Sequence, residues 1–238
     1  MSKDSTPSRR VLICHSSGCT NSRSPSLFAN LEEELAKVGL AGTVAVERTG
    51  CHGFCQNGPI VVVEPERVLY TRVKPDDAAA IVREHLVGGN LVERLLFVDP
   101  ASRKAIANYD EVAFFHRQQR RVLARCGRID PESLAQYVET GGYGALRRAV
   151  LEMTPVAVID EVKKAGLRGR GGAGYPTASK WAIARDMPAD QKYVVANGYE
   201  SDPGASIDRT LMEGDPHAVI EGLLLAAYAV GASQAFLY

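Results

Sequence analysis

The feature that most constrains this chain is the run from Gly166 to Trp181, which places five glycines within nine residues, Gly166 to Gly174. Glycines at that density permit positive φ and let backbone N–H groups close on a bound group. Arg168, Arg170 and Lys180 add fixed positive charge, which suits a phosphate. The run contains Gly169-x-Gly171-x-x-Gly174, so the dinucleotide fingerprint is the first reading to test. That fingerprint needs a strand before it and a helix after it. Here Thr154 to Ala165 reads as a helix, with Thr154 as N-cap, Pro155 in the first position and Gly166 as the stop. Val158, Ile159 and Val162 fall on one face of it. A helix entering the loop excludes the Rossmann arrangement, and the absence of a closing Gly-Lys-Ser/Thr excludes a Walker loop. A phosphorylated cofactor is the remaining functional reading, weighed against a plain flexible turn.

A second constellation lies upstream. Cys14 and Cys19 are separated by four residues, Cys51 and Cys55 by three, and thirty-one residues stand between the pairs. Four thiols in two closely spaced pairs point to a metal or an iron–sulfur cluster. A disulfide framework fits poorly, because no secretory signal precedes the cysteines and the chain is long enough to build a core. Structural zinc favours two residues between paired cysteines, so these spacings fit iron–sulfur better and leave zinc as the alternative. Cys126 stands alone and reads as a small buried hydrophobe.

The cysteines sit in a β-α-β-β-β-α pattern. Val11 to Cys14 is a short apolar strand, and Leu27, Phe28, Leu31 and Leu35 make a helical stripe ended near Gly39. Thr43 to Glu47 alternates as a strand leading to Cys51, and Ile60–Val63 and Val68–Val73 flank a hairpin at Glu64-Pro65-Glu66. Asp76 to Val87 reads as a helix between Pro75 and Gly88-Gly89. This α/β layout resembles the thioredoxin-like [2Fe–2S] ferredoxin domain, through Cys14-x4-Cys19 and the block Gly50-Cys51-His52-Gly53-Phe54-Cys55-Gln-Asn-Gly58-Pro59. The resemblance implies that Cys14, Cys19, Cys51 and Cys55 hold the cluster, with His52 a loop residue beside them.

With 238 residues the chain has room for two domains, read as 1–88 for the ferredoxin-like part, 89–130 for a linker and 131–238 for the rest. Its 28 basic and 28 acidic residues cancel, which gives no electrostatic case for nucleic acid or an anionic membrane. The most apolar stretch, Gly222 to Ala232, is about half of what a bilayer crossing needs. The first ten residues are polar and lack a signal-peptide core, so a cytoplasmic setting is expected.

In the second part, Asp130-Pro131 is read as starting a helix that ends near Gly141-Gly142, followed by helices over 144–153 and 177–186. Tyr193 to Asn197 reads as a strand, residues 197–204 as a polar loop, and Asp215-Pro216 as the cap of a long helix. Ile220, Leu223, Leu224, Ala227 and Tyr228 are expected on its buried side, and Ala235 to Tyr238 begins another strand. A parallel α/β domain that stops at its second strand has the look of a fragment.

Gly127-Arg-Ile-Asp-Pro131, Gly141 to Ala145, Gly166 to Trp181, Asn197 to Arg209, Asp215-Pro-His217 and Glu221-Gly222 are similar to the flavin-binding, 51 kDa-type subunit of NADH dehydrogenases and its relatives in NAD-linked hydrogenases and electron-bifurcating complexes. That resemblance implies an α/β FMN- and NADH-binding domain, here its N-terminal part. It implies an NADH dehydrogenase-type subunit in which hydride passes from NAD(H), as substrate, to FMN and single electrons pass to iron–sulfur clusters. FMN would be held by Gly169, Arg170, Gly171, Gly172, Gly174 and Lys180, with Asn197 bonded to the flavin. Tyr175 would stack on the dinucleotide, and Glu200 and Asp202 would face it, against the alternative that these acids cap a loop. Other redox subunits are the implied partners, and a [4Fe–4S] cluster is expected only in a missing C-terminal region. Two positions depart from the family: Gly198-Tyr199 replaces a common Ala-Asp, and Ile183 stands where an aromatic often supports the adenine. The rivals are a [2Fe–2S] electron-carrier or docking module without NADH chemistry, and a zinc-stabilised scaffold.

Overall fold

In a computed structural model the described residues are 9–238, and they form two compact units. Most of the polar N-terminal stretch read above, residues 1–8, lies outside the described residues. The first unit comprises Met1–Pro131 with Glu213–Asp215, and the second Glu132–Met212 with Pro216–Tyr238.

The first unit is built on a four-stranded sheet, β1 (Arg9–Cys14), β2 (Val44–Thr49), β3 (Val61–Glu64) and β4 (Val68–Tyr70), in the order β2-β1-β3-β4. β1 and β2 run parallel, with Val11 opposite Val46, while β3 is antiparallel to both β1 and β4. Between β1 and β2 lie the short α1 (Ser17–Asn21) and α2 (Ser24–Lys37). After β4, α3 (Ala78–Ala80) continues as a π-helical stretch, Ile81–Val87. Both faces of the sheet are covered, which is why its strands read as continuous apolar runs. Val11 and Ile13 of β1 pack with Leu27 and Leu31 of α2 and Ile81 of the π-helical stretch. The alternate residues, Leu12 and Cys14, pack on the other face with Ile60, Tyr109 and Phe115.

That second cover comes from the stretch read as a linker. It contains β5 (Phe97–Val98) paired antiparallel with β6 (Ala105–Ile106), then α4 (Ala113–His116). Bridges from Leu96 to Tyr70 and from Asn108 to Val68 tie it to the edge of β4. Burial on both sides of the sheet therefore depends on residues beyond 88.

The second unit contains α5 (Leu134–Glu139), α6 (Gly144–Glu152), α7 (Pro155–Lys164), α8 (Thr177–Asp186), β7 (Tyr193–Ala196), α9 (Ile207–Gly214, ending in the first unit's share), α10 (Pro216–Val230) and β8 (Gln234–Leu237). β7 and β8 pair in parallel, Val195 opposite Phe236. Thr154 caps α7 as expected, its hydroxyl accepting the Ala157 N–H at 3.2 Å, and Gly166 beyond it takes φ +64°. Two expectations need correction. Ser133, not Asp130, caps α5, accepting the Gln136 N–H at 3.2 Å, so that helix starts later. On α10, Leu224 is exposed, while Ala226, Ala229 and Val230 are buried. That helix is apolar nearly all round, so periodicity does not select its face. A buried carboxylate completes the choice: Glu221 accepts hydrogen bonds from Tyr137 Oη (2.5 Å), Tyr143 N (2.9 Å) and Leu146 N (3.1 Å), holding α5 and the start of α6 against α10.

Candidate functional site

The sheet end where β1 and β2 finish gathers the cysteines of the first unit. Cys14 is the last residue of β1, Cys19 lies in α1, Cys51 follows β2, and Cys55 opens a 3₁₀ turn, Cys55–Asn57. None of the four is in a disulfide; Cys14, Cys19 and Cys51 are buried and Cys55 is exposed. Cys51 Sγ and Cys55 Sγ are 3.9 Å apart, and the Gly53 N–H donates to Cys51 Sγ at 3.2 Å. Contact with Cys19 pushes the Cys14 thiol up to about 12, while contact with Cys14 lowers that of Cys19 and raises that of Cys51. Such mutual shifts mark thiols within touching range, Cys14 meeting both its own pair-mate Cys19 and Cys51 of the other pair.

The loop leaves room for sulfur and little else. A Cβ on Gly58 would stand 2.9 Å from Cys19 Sγ. Among the described residues no group of three or more Cys, His, Asp or Glu is placed to hold a single metal ion. Two pairs of thiols, an amide aimed at sulfur and a glycine shaped around another sulfur fit a binuclear cluster, whose two irons share the four ligands between them.

His52 has both ring nitrogens engaged, Nε2 with Thr49 Oγ1 (3.3 Å) and Nδ1 with Tyr109 Oη (3.1 Å). Burial lowers its pKa to about 3, so the ring is neutral. It is a structural neighbour of the thiols. Tyr109 also accepts from Arg120 Nη1 at 3.2 Å and stacks on Phe115, with ring centroids 4.0 Å apart. Gly127, at φ +79°, closes over the imidazole so tightly that a Cβ would lie 2.6 Å from it. Sequence reading missed this lid. Its one signal was the aromatic content of residues 97–115, which lacks helical or strand periodicity. Cys126 is buried as expected, and desolvation pushes its thiol up to about 11.

In the second unit the glycine run forms a closed loop between α7 and α8. Gly169 N–H donates to Tyr175 C=O at 2.8 Å, Thr177 N–H to Leu167 C=O at 3.0 Å, and Arg168 Nη1 to Gly174 C=O at 3.0 Å. The Gly169 amide is thus used in shaping the loop. Gly172 and Gly174 have φ of +103° and +59°, so the turn needs residues without a Cβ there. Gly169, Tyr175 and Lys180 line a cleft of about 380 Å³ with Trp181, Val195 and Gly222. Arg170, Gly171, Gly172 and Gly174 lie on the same loop outside that lining. Lys180 sits in the first turns of α8, where a helix N-terminus and a cation act together on an anion. The arrangement fits a phosphorylated group.

Asn197 follows β7, at the end of a strand that lines the cleft; its Oδ1 accepts the Tyr199 N–H at 2.9 Å. Glu200 takes the capping role weighed for these acids. Its carboxylate accepts the N–H groups of Ile207 (2.7 Å), Asp208 (3.3 Å) and Arg209 (3.4 Å) at the start of α9. Asp202 opens a turn, its C=O accepting the Ala205 N–H at 3.0 Å. The helix α9 had no counterpart in the sequence reading.

Comparison with known proteins matches these two constellations separately. Residues 2–86 match the model of the thioredoxin-like [2Fe–2S] ferredoxin family and residues 162–238 that of the Nuo51 FMN-binding domain family. Among individual relatives, the chain is 50% identical over 123 residues to the NADP-reducing hydrogenase subunit HndC of Solidesulfovibrio fructosivorans, 51% of this chain and 25% of that one. It is 44% identical over 117 residues to an NADH-quinone oxidoreductase subunit of Aquifex aeolicus, 49% of this chain and 27% of that one. The chain thus matches about a quarter of the length of these curated relatives. A solved structure, the thioredoxin-like [2Fe–2S] ferredoxin of Aquifex aeolicus, is 33% identical with a TM-score of 0.37, covering 40% of this chain and 100% of that one. Among the described residues no helix is long and apolar enough to cross a membrane.

Proposed function

We propose that this chain belongs to an NAD(P)H-oxidising flavin and iron–sulfur oxidoreductase subunit that works with other redox subunits in the cytoplasm. The observation that carries the proposal is the cleft where Gly169, Tyr175 and Lys180 meet at the start of α8, in a chain that also brings four thiols together. When bound, FMN supplies the exchange between hydride and single electrons, and a [2Fe–2S] cluster supplies one-electron transfer.

The residues have distinct tasks in this reading. Lys180 and the first turn of α8 bind the FMN phosphate, and Arg170 adds charge from the loop. Gly171, Gly172 and Gly174 let the backbone approach the ribityl chain, and Asn197 orients the flavin. Tyr175, half exposed at the cleft, offers a ring for stacking on the dinucleotide. Glu200 positions α9 through its cap, and Asp202 holds the turn ahead of it. Cys14, Cys19, Cys51 and Cys55 hold the cluster, with the Gly53 amide stabilising charge on Cys51 sulfur. None of the five cysteines is in a disulfide, which suits a reducing compartment.

A second reading, a [2Fe–2S] carrier or docking module, is favoured by the openness of the glycine loop: Gly171, Gly172 and Gly174 have no neighbour within 4 Å of where a Cβ would be. An anaerobic absorption spectrum of the purified chain, with iron, sulfide and flavin analysis on the same sample, separates the two. Cluster absorption with bound FMN that bleaches on adding NADH is expected. A cluster without retained flavin supports the carrier, and a colourless zinc protein overturns both.

A further inference from the structure

A cavity of about 360 Å³ opens beside the cysteine loop of the first unit, lined among others by Asn57, Arg72, Lys74, Asp77, Arg94 and Phe97. Three cations and one carboxylate face it. The carboxylate is already used: Asp77 pairs with Arg94 at 2.5 Å and accepts the Lys74 N–H at 2.7 Å. Arg72 and Lys74 are exposed and make no ion pair among the described residues. The cavity wall is bound to the cysteine loop, because the Arg72 N–H donates to Asn57 C=O at 2.8 Å and the Val73 N–H to Pro59 C=O at 3.1 Å. Arg72 is held at φ +54°, a left-handed conformation that a non-glycine residue keeps only when its surroundings enforce it. Phe97, also in the cavity lining, packs edge-on against Phe54, the neighbour of Cys55, with centroids 5.2 Å apart. Cys55 is the one exposed thiol of the four, so the sulfur site is open to solvent on its side.

We infer that this cationic cavity, with the exposed Cys55 edge, is the docking surface for an acidic electron-carrier protein. The inference rests on the reading of the four cysteines as cluster ligands. A net positive rim beside the accessible edge of a redox group pulls a carboxylate-bearing partner into the orientation that brings the two redox groups together. The chain as a whole has balanced charge, so the local excess supplies the direction.

The test is binding of the whole chain to a plant-type [2Fe–2S] ferredoxin, an acidic protein, measured calorimetrically at low and at high ionic strength. Binding that weakens steeply with salt is expected. The double substitution R72E/K74E should weaken it about tenfold or more, with unchanged melting temperature. A matched reversal on α7, K163E/K164E, should leave it intact. Equal losses in both variants, or no binding by the parent chain, would overturn the proposal. So would displacement by millimolar inorganic phosphate, which would make the cavity a small-anion pocket. Iron and sulfide analysis of the same samples keeps the two readings apart. A chain without cluster that still binds through Arg72 and Lys74 supports the surface and sinks the ligand assignment. A loaded chain that does not bind does the reverse.

Discussion

In the cysteine unit two glycines beside the thiols and His52 are hemmed in: a Cβ on Gly58 would sit 2.9 Å from Cys19 Sγ, and one on Gly127 would sit 2.6 Å from the His52 ring. In the flavin-type unit a Cβ on Gly171, Gly172 or Gly174 would meet nothing within 4 Å. At Gly58 and Gly127 neighbours already present leave no room for a side chain, so these glycines are required by space. The glycine run is shaped by backbone rotation at Gly172 and Gly174, which are required by φ and by what later lies against them. One site is packed around its sulfurs before anything binds, and the other holds an open cradle.

Substitutions that add a single methyl break or sharpen this contrast. Gly58→Ala has the largest expected effect: the methyl displaces Cys19 Sγ or the Cys55 carbonyl, and iron and acid-labile sulfide fall to background. Retention of two irons per chain would show that the loop yields, and that the crowding is not structural. Lys180→Ala comes next. Removing a cation from a phosphate should weaken FMN binding by about 1.5–3 kcal/mol, roughly ten- to a hundredfold, in a flavin fluorescence titration. Unchanged retention would remove Lys180 from the cradle.

Gly172→Ala should cost about 1 kcal/mol, through the left-handed φ alone, and leave the iron content untouched. If it abolished flavin binding altogether, the open loop would have to close on its ligand at that position. The smallest effect concerns buried polarity in the packed unit. His85 bonds to Tyr70 Oη through Nδ1 at 2.9 Å, and burial lowers its pKa below the ordinary histidine value. The unfolded chain therefore takes up the proton first as pH falls. The stability associated with neutral His85 is present above its unfolded pKa, near 6.5, and declines as pH drops toward the folded value. The slope cannot exceed that of one proton, about 1.4 kcal/mol per pH unit. Denaturant melts of the parent and His85→Gln at several pH values should show the shallower acid slope in the variant; identical slopes would refute the assignment.

The readability of the chain followed the range of the interactions. Strands β1 to β4, α2, α7 and α8 carry their own signals: apolar runs, a stripe at Leu27, Leu31 and Leu35, the Thr154-Pro155 start and the Gly166 stop. The stretch from 91 to 116 carries none, since its strands are two residues long and its turns are single; it reaches the core through Tyr109, Val112 and Phe115, whose partners are far away in sequence. Helix α9 was invisible for a related reason. Its cap is Glu200, seven residues before Ile207, beyond the short spacing at which a cap can be recognised.

The sequence by itself determined the class of each site: two cysteine pairs after strands, and a glycine run between two helices with cations beside it. These depend on local spacing and backbone freedom, which neighbouring residues dictate. Only the tertiary structure decided that residues beyond 88 cover the second face of the sheet, that Glu200 is occupied as a cap, and that Gly169 gives its amide to the loop. It also decided that Arg72, Lys74 and Arg94 share one cavity beside Cys55. Such placements depend on which distant groups meet, and satisfying buried polar groups and filling space are properties of the assembled fold.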